Sequence, residues 1–214
     1  MVSLNILHIS DAHIQKKDVL EIKEIVQKLI NDINRVQIDK DIKIDLICFT
    51  GDLIQRGDRS IDDEGQWKIA QEILVEPLLK TLNLSQDRFV FVPGNHEVDI
   101  RKIVVALENG LQVKSLDRIQ ILMDNFDTSY KSRLDYFYDI VKENQPDAKF
   151  GILGYSCKKE INGINVGLAC VDSAWRSSGK GISEKSNLYI GLRQLKELYS
   201  DIENTNLKIC LMHH

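Results

Sequence analysis

The sequence predicts an α/β protein built as a layered sandwich, with two β-sheets inside and α-helices outside. Short apolar runs rich in β-branched residues alternate with amphipathic stretches of helical period along most of the 214 residues. No repeat and no linker rich in Pro, Gly or Ser divides the chain. Hydrophobic residues make up 43% and charged residues 28% of the sequence, which is a balance typical of a globular domain.

The N-terminal half predicts three strands, over residues 4–9, 44–50 and 89–92, joined by two helices over 19–36 and 67–82. We expect Pro77 to kink or break the second helix. Strands that alternate with helices pair in parallel through right-handed crossovers. This half therefore predicts a parallel sheet covered by helices.

The C-terminal half predicts two strands over 152–157 and 164–171, joined through Asn162-Gly163, which is a favoured hairpin turn. A helix after Gly191 and a last strand over 207–212 follow. This second set of strands indicates a second sheet, and one continuous doubly wound sheet is the alternative. The irregular apolar pattern of residues 116–142 predicts a helical insertion or lid, within 101–150, in a single domain spanning 1–214.

The composition excludes some classes of protein. No run approaches the roughly 18 apolar residues that a membrane span needs. Four widely spaced cysteines, in or beside apolar runs, predict reduced thiols and a cytoplasmic protein. The formal net charge of −4 disfavours broad electrostatic binding to nucleic acid, although a local basic groove remains compatible with it.

Residues of metal-ligand type follow four of the predicted strands. Because the carboxyl ends of strands in an open α/β sheet converge on one crevice, side chains far apart in sequence can meet there. A mixture of carboxylates, an amide and imidazoles suits Mn²⁺, Fe or Zn²⁺ better than Mg²⁺ or Ca²⁺ alone. Each motif alone is usually a turn or a helix cap, but their ordered conjunction predicts a metal site. The residues are Asp11, His13, Asp52, Asn95, His96 and His213.

In chain order these motifs are Asp-Ala-His, Gly-Asp, Gly-Asn-His-Glu and Met-His-His, and with them the sequence resembles the calcineurin-like metallophosphoesterase superfamily over its whole length. The resemblance extends to the bacterial branch of cyclic-nucleotide phosphodiesterases and glycerophosphodiesterases. In that branch, as here, an Asp-Ser pair (Asp172-Ser173) and a Gly-Leu pair (Gly191-Leu192) precede the Met-His-His.

The resemblance implies a role for each metal-ligand residue. Asp11 and His13 would hold a first divalent cation, Asn95 and His213 would hold a second, and Asp52 would bridge the two. The activity implied is hydrolysis of a phosphate mono- or diester through a metal-activated water at a dinuclear site, with two ions of Mn, Fe or Zn. Nucleotides are among the candidate substrates, and no membrane partner is expected.

The resemblance also implies residues that contact the substrate. His96 would bind no metal but would hydrogen-bond the phosphate or protonate the leaving oxygen. Asn95 would also contact the phosphate. Glu97 would orient the loop. Arg56 stands where protein phosphatases of the superfamily carry a phosphate-binding arginine, and a solvated loop charge is the equal alternative. His214 would face the substrate or support a ligand, or have no role.

Two other functions share this sequence pattern. A metal-dependent nuclease of the same superfamily has the same motifs, and a non-catalytic binding or scaffold module could retain the fold. The printed chain stops at His214, before the Gly-His-x-His that ends the family's motif set. We therefore expect the natural domain to be longer, with its C-terminal part missing here.

Overall fold

The computed structural model of the chain describes residues 3–57, 65–103, 131–178 and 188–214. These residues form two β-sheets, one of three strands and one of four, with helices flanking them. Buried side chains from both sheets belong to one continuous hydrophobic core. The predicted two-sheet α/β sandwich is thus confirmed, and the alternative of one continuous sheet is wrong.

The first sheet is parallel, as the alternation of strands and helices predicted. It consists of β1 (Ile6–Ile9), β2 (Leu46–Thr50) and β3 (Phe89–Val92), in the spatial order β1-β2-β3. Every residue of β2 is buried, because the strand is central and both faces of the sheet are covered. The three strands point their carboxyl ends in one direction, so the loops that follow them lie on the same side of the molecule.

Helix α1 (Val19–Lys40) connects β1 to β2 and runs one turn further than predicted. Val26 and Ile33 are buried against the core. Ile25, whose place in the apolar helical pattern of 19–36 predicts burial, is 56% exposed. Ile25 lies at the edge of the helix's apolar stripe, one residue before Val26 and so rotated about 100° from it around the helix axis. None of the helices among the described residues is long and apolar enough to cross a membrane.

The second predicted helix is continuous but not uniform. It comprises α2 (Gln66–Ala70), a π-helical segment (Gln71–Val75) and α3 (Glu76–Leu82). Pro77 has no N–H to donate to the preceding turn, and its ring crowds the carbonyl there. The wider π-helical turn in front of Pro77 accommodates both effects, so the helix neither breaks nor ends.

The second sheet consists of β4 (Lys149–Phe150), β5 (Tyr155–Ile161), β6 (Ile164–Cys170) and β7 (Leu207–Leu211), in that spatial order. Strands β5 and β6 form the predicted hairpin, with Asn162 at φ 51° and Gly163 at φ 77° in its turn. The two-residue strand β4 was not predicted. Strand β7 pairs with β6 in parallel after helix α5 (Leu192–Ile202).

Helix α4 (Asp135–Asn144) lies within the stretch 101–150 that was predicted as a helical insertion or lid. It is amphipathic, with Phe137, Tyr138 and Val141 buried. Residues 104–130 of the predicted 101–150 insertion lie outside the described residues.

Tyr155 joins the two sheets through a pair of buried hydrogen bonds. Its hydroxyl donates to the carbonyl of Phe91 at 2.7 Å and accepts from the N–H of Phe91 at 3.3 Å. Strand β3 is at the edge of its sheet among the described residues, so the Tyr155 hydroxyl satisfies main-chain groups that have no neighbouring strand.

Replacing Tyr155 by phenylalanine is therefore expected to lower the free energy of unfolding by about 1–3 kcal/mol, because Phe91 keeps a buried, unpaired N–H and carbonyl. Urea denaturation would measure the change. Tyr199→Phe, at a side chain on α5 that is 55% exposed, is the matched control and should have almost no effect. Equal stability of the two variants would contradict a bridging role.

The turn after β6 contains a fully buried carboxyl group, Asp172. Its Oδ2 accepts a hydrogen bond from the Tyr138 hydroxyl at 3.1 Å, and its Oδ1 accepts one from the N–H of Ala174 at 3.1 Å. Burial outweighs these hydrogen bonds and raises the pKa of Asp172 from 3.8 to about 7.

A raised pKa in the folded state means that the contribution of Asp172 to stability is fully present below pH 4 and is lost as the pH rises to about 7. Between pH 5 and pH 8, wild type should lose about 2–3 kcal/mol more than Asp172→Asn, which cannot ionise. Urea denaturation in EDTA at the two pH values measures this difference. Asp147→Asn, at an exposed carboxylate, should behave like wild type. If Asp172→Asn does so too, Asp172 does not titrate as proposed.

Candidate metal centre

The loops that follow β1 and β2 run side by side and continue the pairing of the two strands. The N–H of Asp11 donates to the carbonyl of Gly51 at 3.0 Å, and the N–H of His13 donates to the carbonyl of Asp52 at 2.9 Å. This main-chain pairing ends at an isolated bridge between Ile14 and Ile54. The first two motifs of the sequence are thereby placed opposite each other.

One oxygen of Asp52 lies between two imidazoles. Asp52 Oδ2 is 3.4 Å from Nε2 of His213 and 3.7 Å from Nε2 of His13, which in turn is 3.9 Å from Oδ1 of Asp11. Two ligand atoms that are each about 2.0–2.2 Å from one cation can be at most about 4.4 Å apart. All three distances are short enough for a shared cation.

Among the described residues, two sets of side chains have ligand atoms grouped closely enough to hold a metal ion. One set is Asp11, Asp52 and His213, and the other is His13, Asp52 and His96. Asp52 belongs to both, so the carboxylate predicted to bridge two cations is the one that the two sets share. The sets differ from the predicted ones in two ways: Asp11 is grouped with His213 and not with His13, and His96 is grouped with His13.

The main chain is strained at three of these positions. Asp11 (φ 57°), His13 (φ 45°) and Asp52 (φ 57°) are in the left-handed region, which costs a non-glycine residue of order 1 kcal/mol or more. Strained residues of this kind cluster at functional sites. The other non-glycine residues with positive φ in the described parts of the chain lie where two helices end and in the β5–β6 turn; these are Asp41, Asn83 and Asn162.

Two glycines allow the side chains to approach one another. A Cβ on Gly51 would lie 2.4 Å from Nδ1 of His213, and a Cβ on Gly94 would lie 2.1 Å from Oδ1 of Asp52. Both distances are far shorter than a van der Waals contact. The Gly-Asp and Gly-Asn-His motifs therefore need glycine because a ligand side chain occupies the space beside each one.

Asp52 has one oxygen fixed by the main chain and one facing the imidazoles. Its Oδ1 accepts from the N–H of His96 at 2.9 Å, and the side chain is only 5% exposed. Burial alone would raise the pKa of Asp52, but the hydrogen bonds from His213 and His96 outweigh burial and lower it. The group is therefore an anion at neutral pH.

His213 is held at both ring nitrogens. Nδ1 lies 2.7 Å from the carbonyl of Thr50, which can only accept, so Nδ1 carries a hydrogen and Nε2 faces Asp52. Burial lowers the pKa of His213, but Asp52 and the Thr50 carbonyl outweigh burial and raise it to about 9. A carbonyl partner on the far nitrogen is typical of histidines that bind metal.

His96 and His13 differ in how their Nδ1 atoms are satisfied. Nδ1 of His96 lies 2.8 Å from the carbonyl of Gln55, which leaves Nε2 available. Nδ1 of His13 is buried and has no hydrogen-bond partner within the described residues. The nitrogen of His13 that faces Asp11 and Asp52 is its Nε2. Together with these two carboxylates it forms a donor set that a divalent cation would fit.

Glu97 connects the loops after β2 and β3. Its buried carboxylate accepts four main-chain N–H groups: from Gly94 at 2.6 Å, Asp52 and Leu53 at 2.8 Å, and Ile54 at 3.2 Å. One of these donors is Asp52 itself, and two are the residues that follow it, Leu53 and Ile54. These contacts agree with the predicted role of Glu97 in orienting the loop.

The other predicted site residues have fewer contacts. Asn95 is half-buried, and its amide makes no hydrogen bond to any described residue. Arg56 is exposed; its N–H donates to Gln66, while its guanidinium has no hydrogen bond or ion pair within the described ranges. The ring of His214 packs edge-on against His213 with their centroids 4.3 Å apart.

Some supporting groups were not predicted from the sequence. The carbonyls of Thr50 and Gln55 orient His213 and His96, and the hydroxyl of Ser173 contacts the main chain of His213. Main-chain carbonyls have no side-chain signature that a sequence could reveal. Ser173 did have a signal, since it lies in the Asp-Ser pair after a predicted strand.

The fold and this site define an α/β sandwich with acidic and imidazole groups gathered beyond the ends of its strands. The family model of the calcineurin-like phosphoesterases matches residues 4–214, and the chain belongs to that family. The family predicted from the motifs is thus confirmed. Its members are mostly hydrolases of phosphate esters and typically bind divalent metals. A comparison with curated proteins finds no match to the chain.

Proposed function

We propose that this protein hydrolyses phosphate esters with two divalent cations held on either side of Asp52. The observation that carries the proposal is the position of Asp52 Oδ2 between the imidazoles of His13 and His213, 3.7 Å and 3.4 Å away. The carboxylate is buried and anionic, and its other oxygen is fixed by the His96 N–H. It is therefore suited to hold two cations that would otherwise repel each other.

In this proposal, Asp11, His13 and Asp52 hold one cation, and Asp52, Asn95 and His213 hold the other. The mixed oxygen and nitrogen donors favour Mn²⁺, Fe²⁺ or Zn²⁺. When bound, two such cations neutralise phosphate charge and lower the pKa of a water molecule so that it can attack at neutral pH. The ligand side chains of this protein fix the position at which the positive charge of the cations is concentrated.

His96 is assigned to the substrate. Its Nδ1 hydrogen is held by the Gln55 carbonyl, and its ring lies against His13 with centroids 4.5 Å apart. When protonated, its Nε2 can donate to a phosphate oxygen or protonate the leaving oxygen. Asn95 directly precedes His96 in the sequence, and His214 directly follows His213. Both Asn95 and His214 are assigned contacts with the phosphate.

Arg56 is assigned to the phosphate because its guanidinium is exposed and makes no ion pair within the described residues. A guanidinium forms paired hydrogen bonds with a phosphate group. The proposed substrates are phosphomonoesters or phosphodiesters, nucleotides included. Buried free thiols at Cys48, Cys157 and Cys170 support a reducing, cytoplasmic location.

Calorimetry of the metal-free protein with Mn²⁺, followed by an assay with bis-p-nitrophenyl phosphate, tests this function. We expect two Mn²⁺ ions per chain and hydrolysis that EDTA abolishes. No Mn²⁺ binding at micromolar concentration would identify a scaffold that retains only the fold. Nicking of plasmid DNA without turnover of the small diester would identify a nuclease instead.

Replacing His96 by asparagine separates the two roles open to this side chain. The asparagine amide can still donate to the Gln55 carbonyl, but it cannot donate from the position of Nε2. We expect Mn²⁺ stoichiometry to stay at two while kcat falls by about 10²–10⁴-fold, the usual contribution of a general acid. A drop to one Mn²⁺ per chain would show that His96 is a ligand.

A further inference from the structure

The segment that carries His213 follows β7 beyond the end of its ladder with β6. The last main-chain hydrogen bond there runs from the N–H of Val171 to the carbonyl of Leu211, at 2.9 Å. Past this point the hydroxyl oxygen of Ser173 accepts the N–H of His213 at 3.3 Å and the N–H of His214 at 3.1 Å. A serine side chain thus continues the ladder where main-chain pairing has stopped.

No main-chain carbonyl among the described residues accepts the N–H of His213. The carbonyl of Asp172 accepts a hydrogen bond at 2.9 Å from Nε2 of Gln194, a fully buried residue on α5. Ser173 is 2% exposed, so water cannot readily take its place. A hydroxyl oxygen has two acceptor sites, and here two consecutive N–H groups use both.

Ser173 is itself held firmly in place. The carboxylate of Asp172, on one side of it, accepts from the N–H of Ala174, on the other. The same carboxylate accepts from the Tyr138 hydroxyl, which also accepts the N–H of Gly154 at 2.7 Å. All of these groups are buried. The position of the Ser173 hydroxyl is therefore set by the packed core.

We propose that Ser173 is a positioning residue for His213, fixing the backbone from which this imidazole reaches Asp52. The inference rests on the proposed function, in which His213 binds the second cation. With Ser173 in place, His213 is held at three points: its N–H by Ser173, its Nδ1 by the Thr50 carbonyl, and its Nε2 beside Asp52.

Removing the hydroxyl would release the backbone of His213 while leaving all proposed ligands in the chain. Groups that orient a ligand from behind commonly change metal affinity by about 10–100-fold when they are removed. We expect Ser173→Ala to weaken binding of one Mn²⁺ by that factor. Binding of the other Mn²⁺, at Asp11 and His13, should change much less.

Ser156→Ala is the matched control. Ser156 is a serine on β5 that is 1% exposed and donates to Asp201, a residue of α5. Its loss should lower the melting temperature by a similar amount without altering Mn²⁺ affinity. Ser173→Cys keeps nearly the same volume but offers only a weak acceptor. It should share the Mn²⁺ defect even if Ser173→Ala folds poorly.

Two measurements on the full chain decide the matter. Amide hydrogen exchange of the metal-free protein should show protection at His213 and His214 that both Ser173 variants lose. Calorimetry with Mn²⁺ should show one weakened site in those variants only. Wild-type Mn²⁺ affinity in both Ser173 variants would overturn the positioning role while leaving the proposed function intact. Failure of the wild type to bind Mn²⁺ would overturn the proposed function, and with it the role of Ser173.

Discussion

Replacing Asp52 by asparagine is expected to lower hydrolysis of bis-p-nitrophenyl phosphate by about 10³-fold or more. The variant removes the one negative charge that both candidate metal sets share, and charge stabilisation in such a site is commonly worth this much. The asparagine oxygen can still accept the N–H of His96, so the loop should keep its conformation. Activity should therefore be lost without unfolding.

Calorimetry and steady-state kinetics on the same preparation measure this effect. Mn²⁺ binding should weaken at both sites, because a neutral amide oxygen replaces the charged carboxylate oxygen that both sites use. Asp39→Asn, which removes an equal charge from the exposed end of α1, is the control and should retain full activity. Substantial turnover by Asp52→Asn, with two Mn²⁺ still bound tightly, would refute the shared-carboxylate arrangement.

Replacing Glu97 by glutamine is expected to lower the free energy of unfolding by about 3–5 kcal/mol, although the two side chains have nearly the same shape. Each carboxylate oxygen of Glu97 accepts two N–H groups: Oε1 from Leu53 and Ile54, and Oε2 from Asp52 and Gly94. A glutamine must place its NH₂ group where one of these oxygens was. Its N–H groups would then face two main-chain N–H groups, and none of them could accept a hydrogen bond. Two buried N–H groups would then have no acceptor.

Urea denaturation of metal-free Glu97→Gln, Glu97→Ala and wild type tests this expectation. The glutamine variant should be nearly as unstable as the alanine variant, since neither can accept all four N–H groups. Glu24→Gln, on the exposed face of α1, should match wild type. If glutamine restores most of the stability lost in Glu97→Ala, then the charge and the second oxygen of Glu97 matter little.

Much of the fold follows from local sequence patterns. Alternating strands and helices predicted the parallel sheet, and Asn162-Gly163 predicted the hairpin, because left-handed residues are needed in such a turn. The exposure of Ile25 and the short strand β4 were not predicted. Both depend on where an element lies against its neighbours, and a periodic pattern contains no such information at its edges.

The candidate site was predictable in its side chains and not in its backbone. Ordered motifs singled out Asp11, His13, Asp52 and His213 by their residue types, and the structure brings these side chains together around Asp52. The carbonyl of Thr50 that orients His213 could belong to any residue, so its identity gives no signal. Likewise, nothing in the sequence indicates that three of the ligand candidates adopt a left-handed backbone.

The left-handed backbone at Asp11, His13 and Asp52 brings thermal stability and catalytic turnover into conflict. Glycine tolerates this conformation without strain, so glycine at any of the three positions would ease the local backbone while deleting a proposed metal ligand. Laboratory evolution that rewards heat tolerance alone should therefore favour changes at these positions that abolish the proposed activity. Selection must reward turnover and heat tolerance together if the candidate metal centre is to be retained.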